Sequence, residues 1–348
     1  MSIQMQDLVI CLLLAFAFLA GYMISLRRTQ KTYEYVGPEE EEETQGEQEF
    51  RNEMPVIGVM TYNRIFEGYN EYNMAVYSRF VEQCGGRAVP IHFYLTETEL
   101  EAILERVNGV IIPGGITKLI NDKDNITSFC KHIQIILRKS KELFDRGVHL
   151  PVFGVCLGLQ GIAVAEAPHW EVLGVNTLNS VDMRANMIAY TDFDETKIHK
   201  KLSKKLRKAI QTEKICYDSH HDGVKPEFFT KYESLKDYKV VLTSLDRDGI
   251  ESVQCIEHKK YPIYAVQYHP EKIAYLWRPE NDVPRSANAL ELSRHYINYF
   301  IDDCRKSKNV YGTDEELRAD LFMKETMLFT DSNSQDIYVY KTHHGIQA

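Results

Sequence analysis

Pro151-Val-Phe-Gly-Val-Cys-Leu-Gly-Leu-Gln160 is the stretch on which the reading of this chain turns. Val152 to Val155 is a short, continuous apolar run of the kind a fully buried strand carries. Cys156 follows it directly, between Gly154 and Gly158, and opens a helix-like segment through Ala163 and Glu166. The G-x-C-x-G spacing is the thiol counterpart of a nucleophile elbow, in which flanking glycines ease a tight strand-to-helix turn and lift the side chain above the sheet. A helix N-terminus beneath the sulfur favours the thiolate, the species that attacks carbonyls. A buried structural thiol fits the same local pattern, because cysteine is among the most buried residue types. Segments elsewhere in the chain must decide.

Two of them point to chemistry. Val110-Ile-Ile-Pro-Gly-Gly115 is a second buried strand that ends in two glycines, so backbone N–H groups of Gly114 and Gly115 can join that of Leu157 as oxyanion donors. Tyr264-Ala-Val-Gln-Tyr-His-Pro-Glu271 is a third apolar strand, which delivers His269 and Glu271 at its end. A cysteine, a histidine and a carboxylate at strand ends form a nucleophile, base and orienter set, here in the chain order Cys156, His269, Glu271.

Gly-Val-Cys-Leu-Gly, the Pro-Gly-Gly loop and Gln-Tyr-His-Pro-Glu-Lys together resemble the class I glutamine amidotransferase-like fold. Within it they resemble the gamma-glutamyl hydrolases, folate polyglutamate hydrolases of a cysteine peptidase family, over about Pro55 to Lys306. Ser219-His-His-Asp-Gly-Val-Lys-Pro-Glu227 is similar to that family's substrate-side histidine segment, and Trp277 to Asn298, with Arg-Ser-Ala-Asn-Ala, to its closing helix. The resemblance implies a cysteine nucleophile at Cys156, a proton carrier at His269, an imidazole-orienting Glu271 and a contact from His220 to substrate or leaving group. It implies a folylpoly-γ-glutamate as the small-molecule substrate, with no cofactor. One departure stands out: four residues after the nucleophile, where the hydrolases carry an acidic residue, this chain has Gln160, closer to the amidotransferase pattern. A glutaminase-type or γ-glutamyl-amine hydrolase therefore remains an alternative, as does a non-catalytic binding protein of the same fold.

The 348 residues and the supply of apolar side chains suffice for one large α/β domain or two small ones. A net charge of −9 argues against a nucleic-acid partner, and seven glutamates between Glu39 and Glu49 put much of that charge into one short run. The seven cysteines, Cys11, Cys84, Cys130, Cys156, Cys216, Cys255 and Cys304, show no CxxC pair and no metal-ligand spacing, so no metal site is expected. Disulfides are neither required nor excluded.

In chain order, Leu8 to Ile24 is an uncharged apolar run before Arg27 and Arg28, a signal peptide or signal anchor over residues 1–28 that implies secretory-pathway entry, with lysosome, vacuole or secretion as destinations. Membrane attachment follows only if that segment is an uncleaved anchor, and homodimerisation stays open. Residues 29–53 read as an acidic disordered linker. The catalytic domain is expected at 54–306 and a charged C-terminal extension with little periodicity at 307–348. Val56 to Met60 and Arg87 to Ile91 read as strands, Glu71 to Cys84 as one helix, and Thr96-Glu-Thr-Glu99 as a capping box that opens another. Ile126 to Arg146 and Ser286 to Arg305 read as amphipathic helices, and Lys239 to Ser244, Ser252 to Glu257 and Ile263 to Gln267 as strands with a turn at Asp248-Gly249. Alternating strands and helices of these lengths imply a mostly parallel sheet with helices on both faces, a flavodoxin-like three-layer sandwich, with ligands at the carboxyl ends of the strands. Asn125-Ile-Thr127 is an N-glycosylation sequon. For the carboxylates of the substrate that the resemblance implies, Arg64, Lys118 or Lys272 could supply cationic contacts, and the resemblance puts Tyr72 where the family has aromatics near the substrate cleft.

Overall fold

Residues Val152–Val155 form a strand that is buried along its whole length. Phe153 points one way, with its ring 5.5 Å from that of Phe300 in the helix Ala287–Cys304. Its neighbour Gly154 points the other way, against Gly158 and Ile162 of the helix Leu157–Glu166. Successive residues of a strand face opposite sides of the sheet, so these two helices lie on opposite faces. The computed structural model describes residues 51–341 apart from 67, 122, 124, 168, 169, 277, 279 and 331–334. The expected leader, most of the acidic linker, Trp277 and residues 342–348 lie outside the described residues. Among the described residues no helix is long and apolar enough to cross a membrane.

The strands are β1 (Val56–Met60), β2 (Tyr62–Phe66), β3 (Tyr69–Met74), β4 (Arg87–Ile91), β5 (Gly109–Ile112), β6 (Val152–Val155), β7 (Ser180–Ala185), β8 (Ile188–Ala189), β9 (Cys216–His220), β10 (Tyr238–Leu245), β11 (Glu251–His258), β12 (Ile263–Val266), β13 (Thr326–Thr330) and β14 (Gln335–Tyr340). The central sheet runs β4-β1-β5-β6-β12-β11-β10-β8. Its β4-β1-β5-β6-β12 half is parallel and the remainder antiparallel. The parallel strands β1, β5, β6 and β12 are buried along their whole length, as strands covered on both faces must be. The register Val155↔Val266 brings the ends of β6 and β12 level, so Cys156 and the residues after Val266 emerge on one edge. The Cys156 N–H donates to the Val266 carbonyl at 2.8 Å.

The helix Glu97–Leu104 begins at the expected capping box of Thr96 and Glu99, and Thr127 and Ser286 cap the helices Ser128–Asp145 and Ala287–Cys304. One reading fails. Glu71 to Cys84 is not one helix: β3 continues to Met74 and the helix Ala75–Glu82 starts there. Tertiary pairing overrides local pattern here, because β3 lies between β2 and β14 in a second sheet, β13-β14-β3-β2, with Met74 opposite Ile337 and Glu71 opposite Tyr340. Glu71 is fully buried and accepts hydrogen bonds from the Phe93 N–H at 2.5 Å and from Thr61 Oγ1. The segment after Lys306 therefore supplies secondary structure, a helix at Asp314–Asp320 and the β13–β14 hairpin, rather than only a charged extension. β7 and β9 form a separate antiparallel ribbon that carries His220 at its end.

Candidate active site

Cys156 sits between β6 and the helix Leu157–Glu166 with φ 51° and ψ −103°, a conformation that a non-glycine residue holds at a cost of about 1–3 kcal/mol. The strain is therefore on the cysteine itself. The flanking glycines serve a different purpose from the expected one, and neither has a positive φ. A Cβ at Gly158 would stand 2.2 Å from the carbonyl oxygen of Ile112, and one at Gly154 2.9 Å from the backbone of Gly158. They let the first turn of the helix press onto β5 and β6, which over-determines the elbow and holds the thiol in place.

His269 and Glu271 follow β12 and are almost fully buried. The Pro270 turn brings them together, with Nδ1 of His269 2.8 Å from Oε1 of Glu271. A carboxylate only accepts, so Nδ1 carries the proton and Nε2 keeps its lone pair. The His269 N–H is anchored on the Tyr217 carbonyl at 2.8 Å, and the Tyr217 ring packs against the imidazole. A Cβ placed on Gly114 would lie 2.9 Å from Cε1 of His269 and 3.0 Å from Cβ of Cys156, so histidine and cysteine flank the same point of the Pro-Gly-Gly loop.

Burial pushes the Cys156 thiol up to about 12, against the lowering effects of Lys272 and of a hydrogen bond from the Leu157 N–H. The expected thiolate at the helix N-terminus is thus not the resting form, because desolvation outweighs the charge of Lys272 and the Leu157 N–H. Burial also lowers the His269 pKa, with the positive charge of Lys272 next, and the opposing pull of Glu271 does not overcome them. Burial works to raise the Glu271 pKa, but the charge and hydrogen bond of His269, together with Lys272, hold it below the ordinary value. The resting site is a thiol, a neutral imidazole and a carboxylate.

The loop glycines part company. The Gly114 N–H, expected as an oxyanion donor, is used by Tyr77 Oη at 2.6 Å, and the Gly114 carbonyl accepts from Tyr62 Oη. Gly115 and Leu157 line a cleft of about 900 Å³ together with Cys156, Gln160 and His220. His220 is buried, with Nδ1 2.9 Å from the Asp222 carbonyl and Nε2 3.5 Å from Oδ1 of the fully buried Asp218. Gln160 donates to that same Asp222 carbonyl at 2.9 Å and to Oε1 of Gln267 at 3.4 Å, and Gln267 in turn donates to Sγ of Cys156 at 3.5 Å. The neutral side chain at 160 is therefore a link between the thiol and the His220 loop, which a carboxylate could not form.

Of the candidate cations, Lys118 lines the cleft and Lys272 stacks over the Tyr217 ring, with its Nζ 5.8 Å from the centroid. The side chain of Arg64 lies outside the described residues. Lys225, inside the quoted Ser219 to Glu227 segment, and Lys231 also line the cleft, the latter 2.7 Å from Glu171, and nothing in the sequence pattern separated Lys231 from other lysines. Tyr72 belongs to strand β3 and stacks on Tyr62 with ring centroids 4.9 Å apart, which makes it core. Sequence reasoning missed Tyr77, Tyr62, Asp218 and Gln267; only Gln267, inside the quoted strand, carried a signal.

Comparison with known proteins agrees with this architecture. The family description "Glutamine amidotransferase class-I" matches residues 69–281, which defines the class: an α/β domain of that superfamily. Gamma-glutamyl hydrolase B of Dictyostelium discoideum is 31% identical over 84% of this chain and 84% of its own length. Gamma-glutamyl hydrolase of Mus musculus is 28% identical over 83% of this chain and 90% of its own. Probable gamma-glutamyl hydrolase 3 of Arabidopsis thaliana is 27% identical over 83% and 84%. The chain belongs to the gamma-glutamyl hydrolase family within that superfamily and is an enzyme of this kind.

Proposed function

We propose that the protein hydrolyses γ-glutamyl amide bonds through a thioester on Cys156, with folylpoly-γ-glutamates as substrates. The observation that carries this reading is the thiol in a strained elbow facing, across one loop, a buried imidazole whose Nδ1 is held by Glu271. Sγ attacks the γ-carbonyl as its proton passes to Nε2 of His269, so no free thiolate has to accumulate. The oxyanion is taken up by the N–H groups of Leu157 and Gly115. His269 then gives the proton to the departing nitrogen and the C–N bond breaks, leaving the thioester. Water loses a proton to His269, attacks the thioester carbonyl, and the thiol is re-formed as the acid product leaves. The size of the cleft and its lysines Lys118 and Lys225 suit an elongated substrate that bears several carboxylates.

A glutaminase-type or γ-glutamyl-amine hydrolase is the second reading, favoured by Gln160 and its link through Gln267 to the thiol. The apolar run Leu8 to Ile24 supports entry into the secretory pathway. The deciding experiment incubates the full chain and a Cys156→Ala control with a pteroyl-polyglutamate, glutamine and a γ-glutamyl amine. Release of shorter folates that disappears in Cys156→Ala supports the proposal. Turnover of only glutamine or the amine moves the assignment to the second reading.

A further inference from the structure

Tyr77 and Tyr62 are fully buried, and neither lines the cleft, yet both hydroxyls meet the loop that faces Cys156. Tyr77 lies on the helix Ala75–Glu82. Its Oη accepts from the Gly114 N–H at 2.6 Å and donates to Oε1 of Glu271 at 3.2 Å, the same oxygen that accepts Nδ1–H of His269 at 2.8 Å. A phenol has one proton to give, and this geometry commits it to the carboxylate. Burial, reinforced by the charge of Glu271, keeps that phenol protonated. On the other side of the loop, Tyr62 Oη donates to the Gly114 carbonyl. In a trans peptide the C=O and the following N–H point in opposite directions, so pinning this carbonyl aims the Gly115 N–H away from Tyr62.

From these contacts we infer that Tyr77 and Tyr62 are positioning residues that form a clamp on the Gly114 peptides: Tyr62 sets the direction of the Gly115 N–H, and Tyr77 ties the same loop to the carboxylate that orients His269. The inference rests on the thiol-hydrolase reading above for its kinetic consequences, though not for its effect on His269. Donors that hold an oxyanion act only when pre-aimed, because re-aiming a peptide during the reaction forfeits the electrostatic gain. Tyr77 also shares Glu271 with the imidazole. Its hydroxyl draws negative charge from Oε1 and so weakens the hold of Glu271 on a protonated His269. The other charged or titratable groups that His269 faces are Lys272, His220 and the Tyr217 phenol packed against its ring, with Cys156 across the loop, and a change at Tyr77 leaves them in place.

The test uses the full chain with Tyr77→Phe and Tyr62→Phe, each of which keeps the ring that fills the core, and with Cys156→Ala as the zero of activity. Steady-state kinetics on a pteroyl-polyglutamate across pH are combined with an NMR titration of the His269 imidazole, assigned by its loss in His269→Asn. Tyr77→Phe is expected to lower kcat by about 10- to 100-fold, less than the loss of an oxyanion donor itself, while KM changes by under about threefold. It also moves the His269 titration and the acid limb of kcat/KM to higher pH. Tyr62→Phe is expected to lower kcat without moving the His269 titration. Equal behaviour of the two variants, an unmoved His269 titration in Tyr77→Phe, or a loss of kcat that merely follows a fall in Tm overturns the inference. If the wild-type chain turns over no γ-glutamyl substrate, the functional proposal fails by itself, and the His269 titration still decides the role of Tyr77.

Discussion

Gly158→Ala adds one methyl where the structure has no room for it. The new carbon would lie 2.2 Å from the carbonyl oxygen of Ile112 and 3.1 Å from its carbonyl carbon, both backbone atoms of β5 in the middle of the sheet. An ordinary carbon–oxygen contact needs about 3.3 Å, so the start of the helix Leu157–Glu166 must back away by about 1 Å. That turn carries Cys156 and the Leu157 N–H, and a displacement of this size at reacting atoms costs about 100-fold in rate. Overpacking of this kind destabilises by about 1–3 kcal/mol, and a backbone oxygen inside a parallel sheet cannot turn aside as a side chain can. The control is Gly161→Ala, one turn further along the same helix. There the added methyl meets Cδ1 of Ile133 at 2.4 Å, the far end of a side chain that can rotate, and alanine gains about 1 kcal/mol of helix propensity over glycine. Both variants go through thermal unfolding and kcat/KM on the same γ-glutamyl substrate. Gly158→Ala should lose several degrees of Tm and about 100-fold in kcat/KM, with Gly161→Ala near wild type. If Gly158→Ala keeps wild-type Tm and rate, or the two variants fail alike, the argument that close approach shapes the elbow is wrong.

Other consequences follow from the same geometry. Because burial and Lys272 hold the His269 pKa below the ordinary histidine value of 6.5, the neutral imidazole persists into mild acid; the acid limb of kcat/KM should fall below that pH, and a limb above it contradicts the assignment. Glu271→Gln replaces the acceptor of Nδ1–H with an amide that can present either end, so the productive tautomer is lost and kcat should drop by about 100-fold or more with little change in Tm; a drop under about fivefold makes Glu271 a bystander. Ile337 is buried where β14 pairs with β3, so Ile337→Ala should cost about 3 kcal/mol in urea unfolding, whereas a cost under about 1 kcal/mol means that the β13–β14 hairpin is not integral to the folded unit.

The parts of the fold readable in advance were those where one short segment holds the whole signal. Val152 to Val155, Val110 to Ile112 and Ile263 to Val266 are uniformly apolar, so they had to be strands covered on both faces, and the candidate site residues stand at or just beyond their ends. Thr96 and Glu99 announced their helix by capping chemistry ahead of the periodic Leu100, Ile103, Leu104 and Val107. What stayed hidden depends on partners far away in the chain. Tyr69 to Met74 became a strand through pairing with β14, near the opposite terminus, and a buried Glu71 stabilised by Thr61 and Phe93 leaves no periodic trace. The site shows the same division. Cys156, His269 and Glu271 could be picked out as candidates by type and spacing, but the occupation of the Gly114 N–H by a tyrosine hydroxyl from the helix Ala75–Glu82 could not. Nor could the thiol's resting protonation, which burial decides against the pull of Lys272 and the Leu157 N–H.

The central claim is a covalent bond between the acyl half of the substrate and Sγ of Cys156. Acid quench of the full chain during turnover of a pteroyl-polyglutamate, followed by peptide mass spectrometry, reads it directly. The account predicts a peptide containing Cys156 that is heavier by the acyl group, is released by hydroxylamine as a thioester is, and is absent from Cys156→Ala. Turnover in which the acyl group is found on a different residue, or a Cys156→Ala protein that hydrolyses the substrate at the wild-type rate, contradicts it.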